Sequence, residues 1–496
     1  MERKKSLTRR QFLSGLAGAA MAPGLATVSR AQQGAARRDR PNVLFVFTDQ
    51  QQRTAMSVAG NPAVRTPAMD SVAQAGVRFS RSFCAAPQCS PSRASILTGR
   101  WPHSARVITN AEALGGRPLD PRIPSAGQVF RAAGYETAYF GKWHLGKMVP
   151  EDGFETVEPR DSGEGEVLAA RAVEFLKQKH DRPFFMMVSF INPHDIYDFR
   201  KTEKEIALAR RNIVLPASRT DDLRAKPAPQ AVYRDEDQGV AAKGFGDDEW
   251  RKYLEVYYSL VEKVDAQIGR ILDALRAQKL DRETIVVFTS DHGDLGGAHG
   301  LPFKGPCMYR ELVDVPLAIC GPGIAGAGRV CDDLVSNVDH LPTLCDLAGI
   351  APPAIVQGMS MRPLLENRRP ARWREFVVSE YYAKQQWASP IRMLQTTRWK
   401  YVRYRRWGEE LYDLEHDPDE MNNLAHELPE SGEARQTRDR LAGLLDRWMR
   451  TTNDNFNQLE PTTRAGQPLD GSATAAPPKK NKSRSKKPPM NADSRR

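Results

Sequence analysis

The segment Cys89-Ser90-Pro91-Ser92-Arg93 places a sulfur atom and a guanidinium group one helical turn apart. Proline is tolerated in the first turn of a helix, so the segment predicts a helix that begins near Cys89. Free N–H groups and the helix dipole attract an anion at that end, and Arg93 lies on the same helical face. The arrangement favours a negatively charged, tetrahedral substrate, although taken alone it also fits a buried structural cysteine near a helix cap.

A first candidate metal ligand follows a predicted strand. Residues 42–48 form an unbroken apolar run, which is typical of a strand buried on both faces of a parallel sheet. Asp49 and Gln50 follow at its carboxyl end, where open α/β sheets bind their ligands. Their side-chain oxygens suit a hard cation, although Asp49 alone fits a loop or cap residue equally well.

A second buried strand, residues 284–290, ends at Asp291 and His292. Two buried strands that each end in an aspartate predict one metal ion bridged between neighbouring strand tips. A histidine nitrogen is unusual for calcium, which prefers oxygen; calcium remains the first choice, with magnesium or manganese open. Asp294 and His299 are expected to shape the loop around this ion rather than bind it.

Two further polar residues follow another predicted strand. Lys142 and His144 come directly after residues 136–140 and are two apart, so they project from one side of an extended segment. A lone lysine or histidine in a turn is ordinarily a solvated surface group. The position directly after a strand makes the pair a candidate for a functional role, and the motif around it, residues 141–146, favours that role.

Two motifs together resemble the type I, formylglycine-dependent sulfatases of the alkaline-phosphatase-like superfamily. The first is Cys-x-Pro-x-Arg at Cys89 to Arg93, and the second is GKWHLG at residues 141–146. The resemblance covers residues 41–450. In that family the cysteine is oxidised by a formylglycine-generating enzyme to Cα-formylglycine, whose hydrated aldehyde is the nucleophile; the resemblance implies this fate for Cys89.

The resemblance also assigns roles to single residues. It places Lys142 on the sulfate oxygens and His144 on the formylglycine hydroxyl. His194, after predicted strand 184–190, matches the histidine near the leaving oxygen, and Lys304 matches the second active-site lysine. Sulfatases usually place two acids after the first strand, so Gln50 departs from the pattern. The implied ligands of the divalent metal are Asp49, Gln50, oxidised Cys89, Asp291 and His292.

The implied reaction is hydrolysis of a sulfate monoester. Arg93, Lys142 and Lys304, with the metal, supply preorganised positive charge, and the metal lowers the pKa of the aldehyde hydrate so that one hydroxyl can attack sulfur. His194, with Lys304, would assist the departing alcohol. His144 would take a proton from the remaining hydroxyl and expel sulfate. Glycan, choline and aryl sulfates all fit as substrates.

Two alternatives compete with this reading. A phosphonate monoester or phosphodiester hydrolase of the same superfamily shares the formylglycine and an Asp-His ligand pair, but tends to lack the paired Lys142 and His144. A non-catalytic binding protein with a sulfatase fold is the second alternative. Every catalytic position is present, which argues against it.

Strands and helices alternate along residues 41–370, which predicts an α/β catalytic domain with a large mixed, mostly parallel sheet flanked by helices. Helices are predicted at 66–75, 124–133, 166–179 and 248–278, and a further strand at 77–83. The polar segment 197–248 is expected to border the active-site mouth. Asp339-His340 is expected to cap a helix to Ala348 rather than bind metal.

From residue 371 the pattern changes to short strands, followed by a helix over 433–450. It predicts a C-terminal subdomain, residues 371–455, with a small antiparallel sheet and a closing helix. The strands are predicted at 375–382, 391–396, 400–404 and 410–414.

Charge is concentrated at the two ends of the chain. The formal net charge is +11, with about +5 in residues 1–31 and about +7 in residues 461–496, which leaves about −1 for the body. A nucleic-acid enzyme would spread basic residues over its folded surface, so no nucleic-acid partner is expected. Residues 461–496 are rich in Lys, Pro, Ser and Ala and are predicted to be disordered.

Residues 1–31 predict a twin-arginine signal peptide. Arg9-Arg10 precede a weakly apolar run, residues 16–28, and Ser29-Arg30-Ala31 is a small-x-small cleavage site. The run is too short and mild for a membrane span, so the protein is expected to be periplasmic or secreted, not integral to a membrane. The expected partners are the twin-arginine export machinery, the formylglycine-generating enzyme and a small-molecule or glycan sulfate ester.

Six cysteines are too few for a disulfide scaffold, and their spacing matches no zinc ribbon. Cys320 and Cys331 could pair in an oxidising compartment.

Overall fold

The structure, a computed structural model, describes residues 40–159, 165–205, 212–368 and 370–469. The predicted signal peptide and residues 470–496 of the predicted tail lie outside the described residues. Fourteen strands are present in these ranges. In chain order they are β1 Asn42–Asp49, β2 Val77–Phe79, β3 Ser82–Phe83, β4 Glu136–Gly141, β5 Thr156–Pro159, β6 Phe184–Pro193, β7 Thr284–Ser290, β8 Leu317–Cys320, β9 Arg329–Cys331, β10 Val335–Ser336, β11 Val377–Lys384, β12 Trp387–Gln395, β13 Trp399–Tyr404 and β14 Gly408–Asp413.

Eight of these strands form one large sheet in the order β5-β4-β6-β1-β7-β8-β2-β9. Strand β1 runs parallel to both β6 and β7 at the centre, whereas β8 is antiparallel to both of its neighbours. The prediction of a large, mixed, mostly parallel sheet is therefore confirmed. Thr48 is paired with Ser290 in the central register, so Asp49 and Asp291 follow at adjacent strand tips.

The helices that flank the sheet lie close to their predicted positions. The long one predicted at 248–278 spans Asp247–Ala277 and begins with three acidic residues in its first turn, which suits the helix dipole. The α-helices in the described ranges are Pro67–Ala75, Cys89–Thr98, Pro102–Ala105, Ala126–Ala132, Gly165–Leu176, Phe199–Glu205, Ala228–Glu236, Asp247–Ala277, Arg310–Val313, His340–Leu347, Arg362–Leu365 and Glu433–Thr452.

The apolar run of β1 supplies both faces of the sheet. Leu44 and Val46 pack into the core beneath the long helix Asp247–Ala277, whereas Val43 and Phe45 pack into the opposite core. Side chains alternate along a strand, so an unbroken apolar run is what a strand with two buried faces requires.

The prediction of one continuous strand over 77–83 is wrong, because this segment forms two strands, β2 and β3. The amide of Ser80 donates to the carbonyl oxygen of Cys331, 2.9 Å away, at the end of the β2–β9 pairing. Strand β3 then pairs with β10 in a separate two-stranded sheet. This change of partner carries the chain toward Cys89.

A four-stranded sheet, in the order β11-β12-β13-β14, follows the large one and is antiparallel throughout. The predicted small antiparallel sheet with a closing helix, Glu433–Thr452, is confirmed. The side chains of Val377 and Ile391 share one core with Leu312 and Val315 of the preceding segment. The two sheets therefore belong to one compact unit, which begins at Arg40.

The structure also bears on the predicted tail, the cysteine pairing and the expectation of no membrane span. The described start of the predicted tail, residues 461–469, is ordered: the amide of Thr462 donates to the carbonyl oxygen of Ala388 at 2.9 Å. All six cysteines are free, so Cys320 and Cys331 are not paired. Among the described helices none combines the length and the apolar character of a membrane span.

Candidate active site

The centre of the site lies where β1 and β7 end. Asp49 and Asp291 are completely buried at these adjacent tips, and the backbone amide of Gln50 donates to Asp291 Oδ1 at 3.1 Å. Gln50 has a φ of 76°, a left-handed conformation that is uncommon outside glycine. The chain thus turns sharply as it leaves β1.

Cys89 lies against these carboxylates as the first residue of the helix Cys89–Thr98, as predicted. Its Sγ atom is 3.7 Å from Asp49 Oδ1 and 3.3 Å from His292 Nε2. The side chain is fully buried.

Arg93 joins the two aspartates from one helical turn further on. Its Nη2 atom is 2.8 Å from Asp49 Oδ2, and its Nε atom is 3.0 Å from Asp291 Oδ2. The Nη1 atom donates to Ser189 Oγ and to the carbonyl oxygen of Lys142, both at 2.7 Å. A planar guanidinium suits such a set of fixed acceptors, so Arg93 orients both strand tips.

Two lysines bring positive charge to Cys89. Lys304 Nζ is 3.1 Å and Lys142 Nζ is 3.7 Å from the sulfur, and Lys142 also pairs with Asp49 at 2.7 Å. Burial would raise the pKa of Cys89, but Lys142, Lys304 and His292 hold this pKa well below its ordinary value. The position is therefore built to hold negative charge.

The residues at the strand tips fit a divalent cation. Asp49, Cys89, Asp291 and His292 are buried, and each offers a ligand atom within 4.8 Å of the others. His292 Nδ1 lies 2.9 Å from the carbonyl oxygen of Gly293, to which it donates. The lone pair of Nε2 is then directed at the cluster, as in a metal-ligating histidine.

Gln50 fits the same donor set, and Asp294 supports it. Gln50 Oε1 accepts from Lys304 Nζ at 2.8 Å, so the amide oxygen faces the site. Its Nε2 donates to Asp294 Oδ2 at 2.7 Å. Tyr253 also donates to Asp294, and burial raises the pKa of that carboxyl to about 6. Asp294 shapes the loop, as expected.

His299 does not reach the metal cluster. Its Nδ1 atom is 2.8 Å from Asp221 Oδ2, and its ring stacks on Tyr309 at 3.5 Å. It joins the loop after β7 to the segment 197–248 instead.

The two remaining predicted histidines border Cys89 on other sides. His144 Nε2 is 3.1 Å from Glu112 Oε2, and the interactions with Cys89 and Glu112 outweigh burial and raise the pKa of His144 to about 9. Burial, followed by the charge of Lys142, lowers the pKa of His194. The His194 ring lies 4.9 Å from that of Tyr197, in the segment expected at the mouth of the site.

Asp339 is the N-cap residue of the helix His340–Leu347, as predicted, but its side chain makes no cap bond to that helix. Asp339 Oδ2 accepts from the amide of Ser336 at 2.8 Å, just before the helix His340–Leu347. The His340 ring packs edge-on against Phe45 at 5.3 Å. Burial lowers the pKa of His340 to about 3, so it stays neutral.

Four residues that line the site were not identified by any sequence motif. Ser189 had a weak signal, since it is a lone hydroxyl within the apolar run of β6. Glu112 lies in a turn and Tyr197 in the short 3-10 helix His194–Asp198, and neither belongs to a motif. Lys384, at the end of β11, donates to the carbonyl oxygen of Lys304 at 2.5 Å; its sequence neighbourhood predicts only a strand of the C-terminal subdomain.

The fold and the site together define an ester hydrolase of the alkaline-phosphatase-like superfamily. The profile of the family described as Sulfatase matches residues 41–350, and that described as N-sulphoglucosamine sulphohydrolase, C-terminal, matches residues 297–446. The chain belongs to the sulfatase family and is an enzyme that hydrolyses sulfate esters.

Individual relatives agree with this assignment. The chain is 30% identical over 462 residues to a Delta 4,5-hexuronate-2-O-sulfatase of Bacteroides thetaiotaomicron, covering 88% of this chain and 94% of that protein. It is similar to the structure of a 2-O GAG sulfatase, with a TM-score of 0.76, 28% identity, and coverage of 88% and 99%. It is also similar to a phosphonate monoester hydrolase of Agrobacterium radiobacter, with a TM-score of 0.68, 25% identity, and coverage of 88% and 100%.

Proposed function

We propose that this sulfatase acts on a sulfated sugar and uses a formylglycine made from Cys89. The observation that carries the proposal is the position of Cys89 Sγ, at a helix N-terminus and 3.1 Å from Lys304, 3.3 Å from His292 and 3.7 Å from Lys142 and Asp49. An anion held there faces cationic groups among buried side chains, where such interactions are stronger than in water. The two sugar-sulfatase relatives support the substrate class.

Each cationic side chain has a role in the proposal. Lys142 and Lys304 bind the sulfate oxygens, and Arg93 holds the two aspartates in place. His194 stays neutral because its pKa is lowered, and it lies beside the departing oxygen with Lys304. His144 takes a proton from residue 89 as sulfate leaves, and Glu112 holds its ring from the other side.

Asp49, Gln50, Asp291 and His292, with oxidised Cys89, would hold a divalent metal, and we propose calcium. The oxygen-rich donor set supports calcium, and the single imidazole leaves magnesium or manganese open. When bound, such an ion supplies a Lewis acid that makes an oxygen nucleophile stronger at neutral pH.

Mass spectrometry tests the modification. Oxidation of cysteine to formylglycine removes one sulfur and two hydrogen atoms and adds one oxygen, so the peptide with residue 89 becomes lighter. We expect this lighter peptide in protein from a host that carries the modifying enzyme, and Cys89→Ala protein as an inactive control. An active enzyme with an intact thiol would contradict the proposal.

Paired substrates test the reaction. Modified enzyme is expected to hydrolyse an aryl sulfate and 2-O-sulfated uronate sugars much faster than an aryl phosphonate. Removal of the metal with a chelator should abolish turnover, and calcium should restore it. A preference for the phosphonate would favour the alternative activity instead.

We also propose export by the twin-arginine route to the periplasm or beyond. The support is the Arg9-Arg10 pair, the mild apolar run and the cleavage site in residues 1–31. Replacement of both arginines by lysine should leave uncleaved precursor in the cytoplasm. Unchanged export of that variant would exclude this route.

A further inference from the structure

The half-buried Lys384 brings an amino group from the four-stranded sheet to the active site. It is the last residue of β11, and its Nζ atom donates to the carbonyl oxygen of Lys304 at 2.5 Å and to the hydroxyl of Tyr197 at 3.2 Å. One side chain thus joins the second sheet to two segments that border Cys89.

Aromatic rings complete the surroundings of this amino group. It lies 5.2 Å from the centre of the Tyr233 ring and 5.5 Å from that of Tyr197, within the range of cation–π attraction. Burial, followed by the charge of Lys304, lowers the pKa of Lys384 to about 7. Removing a lysine amino group from water costs free energy. A role in holding the neighbouring backbone would explain why a lysine occupies this position.

The backbone of the Lys304 segment is held at several successive points. Tyr233 donates to the carbonyl oxygen of Pro302 at 2.9 Å, and the amide of Phe303 donates to the hydroxyl of Tyr253 at 3.2 Å. Lys384 provides the next contact, at the carbonyl of Lys304 itself. The Lys304 side chain extends from this fixed point to Gln50 and Cys89.

The end of β11 also contacts the start of the Cys89 helix. The carbonyl oxygen of Ala383 accepts from Gln88, the N-cap residue, and from Thr109, both at 2.6 Å. The carbonyl oxygen of Gln385 accepts from the amide of Leu114 at 2.6 Å, in the loop that carries Glu112. Residues 383–385 therefore contact three walls of the site.

From these contacts we infer that Lys384 is a positioning residue, which fixes the backbone of Lys304 so that its ammonium group meets the substrate beside residue 89. The inference rests on the proposed role of Lys304. Small displacements of a group that contacts the reacting atoms are costly, since a shift of about 1 Å can reduce a rate by about 100-fold. The second sheet then contributes to catalysis without touching the substrate.

The test compares Lys384→Met with a matched control in formylglycine-containing protein. We expect kcat for an aryl sulfate to fall by about 10- to 100-fold, with Lys384→Arg retaining most of the activity because arginine keeps a long side chain that ends in hydrogen-bond donors. Lys226→Met is the control. Lys226 is buried, donates like Lys384 to backbone carbonyl oxygens, here those of Glu420 and Met421, and lies over the Tyr309 and Tyr412 rings. Its replacement should lower thermal stability but leave kcat unchanged.

A double-mutant cycle with Lys304 distinguishes three roles of Lys384: positioning Lys304, acting directly on the substrate, and stabilising the fold in general. If Lys384 acts through Lys304, then Lys384→Met should change kcat little in a Lys304→Met background. An equal loss in both backgrounds, or full activity of Lys384→Met, would overturn the inference. If the methionine variant does not fold, Lys384→Gln replaces it in the cycle, because its shorter side chain does not reach the carbonyl. If the proposed function itself is wrong, the modified wild-type enzyme will show no sulfatase activity, and this outcome is distinct from any result of the cycle.

Discussion

Arg93 shows how one buried residue can hold several groups of this site in place. It is almost fully buried and contacts both strand-tip carboxylates and two further acceptors. Burial raises the pKa of Asp291, and the charge of Asp49 raises it further, so the two carboxylates depend on nearby cations to stay ionised together. Arg93 supplies one of these charges in a fixed orientation.

We predict that Arg93→Lys reduces sulfatase activity by about 100-fold or more, because a lysine cannot bridge two carboxylates in a fixed geometry. Metal affinity should fall by about 10- to 100-fold for the same reason. Activity assays and calcium titration of the folded variant measure the two effects. Wild-type metal affinity in this variant would contradict the assigned role.

A second prediction at this scale concerns the pH dependence. The Glu112 carboxylate and Cys89 together raise the pKa of His144 to about 9, and the proposed conversion of Cys89 to an uncharged hydrate would remove the contribution of Cys89. If neutral His144 is the base, then Glu112→Gln should lower its pKa. The acidic limb of the kcat profile should then move to lower pH, by about half a unit to one unit. Glu151→Gln, an exposed change, serves as the control.

At the scale of elements, the helix Pro67–Ala75 is capped by another helix. Thr66 precedes it but makes no side-chain cap bond. Asp265, in the helix Asp247–Ala277, instead accepts from the amides of Ala68 and Met69 at 3.1 and 2.8 Å. A local sequence pattern predicts this helix, but its cap comes from about two hundred residues further along the chain.

Asp265 should make stability depend on pH. Burial raises its pKa from 3.8 to about 6, so the folded state binds the proton more tightly than the unfolded state. Its contribution to the free energy of unfolding is therefore fully present below about pH 4 and is lost as the pH rises through about 6.

Comparison with Asp265→Asn tests this prediction. The asparagine oxygen does not titrate and can serve the two amides less well, so the variant should lose about 1 kcal/mol or more at pH 5. The difference in melting temperature from wild type should shrink between pH 5 and pH 7.5. A larger difference at the higher pH would contradict the sign.

On the scale of the whole molecule, the boundary predicted at residue 370 does not separate two independent cores. Phe83, Met308 and Leu312 pack with Val377 and Ile391 across it. A second cluster joins the closing helix to Trp101 and Val338 in the same way. The four-stranded sheet therefore stabilises the segments that carry Cys89 and Lys304.

This shared core predicts a single cooperative unfolding transition. We expect one calorimetric peak, with coincident loss of helical signal, near-ultraviolet signal and enzyme activity. A truncated chain that ends at residue 370 should not fold, because it exposes one face of the shared core to water. Two separated transitions in the full chain would show that the sheets unfold independently.

The sequence alone was sufficient for the fold class and for most of the site. Apolar runs with two buried faces predicted β1 and β7, and the residue after each run is a strand-tip aspartate in the structure. The split of the predicted strand 77–83 was missed, because hydrophobicity does not reveal which partner a strand takes. The start of the predicted disordered tail was also misread, since composition does not show the pairing of Thr462 with Ala388.

What the sequence determined by itself were the local patterns: a cysteine at a helix N-terminus with an arginine one turn on, a Lys-x-His turn, and acids at strand tips. Only the tertiary structure decided which distant groups meet them. Glu112 and His144 are 32 residues apart, and Lys384 and Lys304 are 80 apart. The physical reason is that periodicity and turn chemistry are properties of neighbouring residues, whereas the partner of a buried charge is set by how whole elements pack.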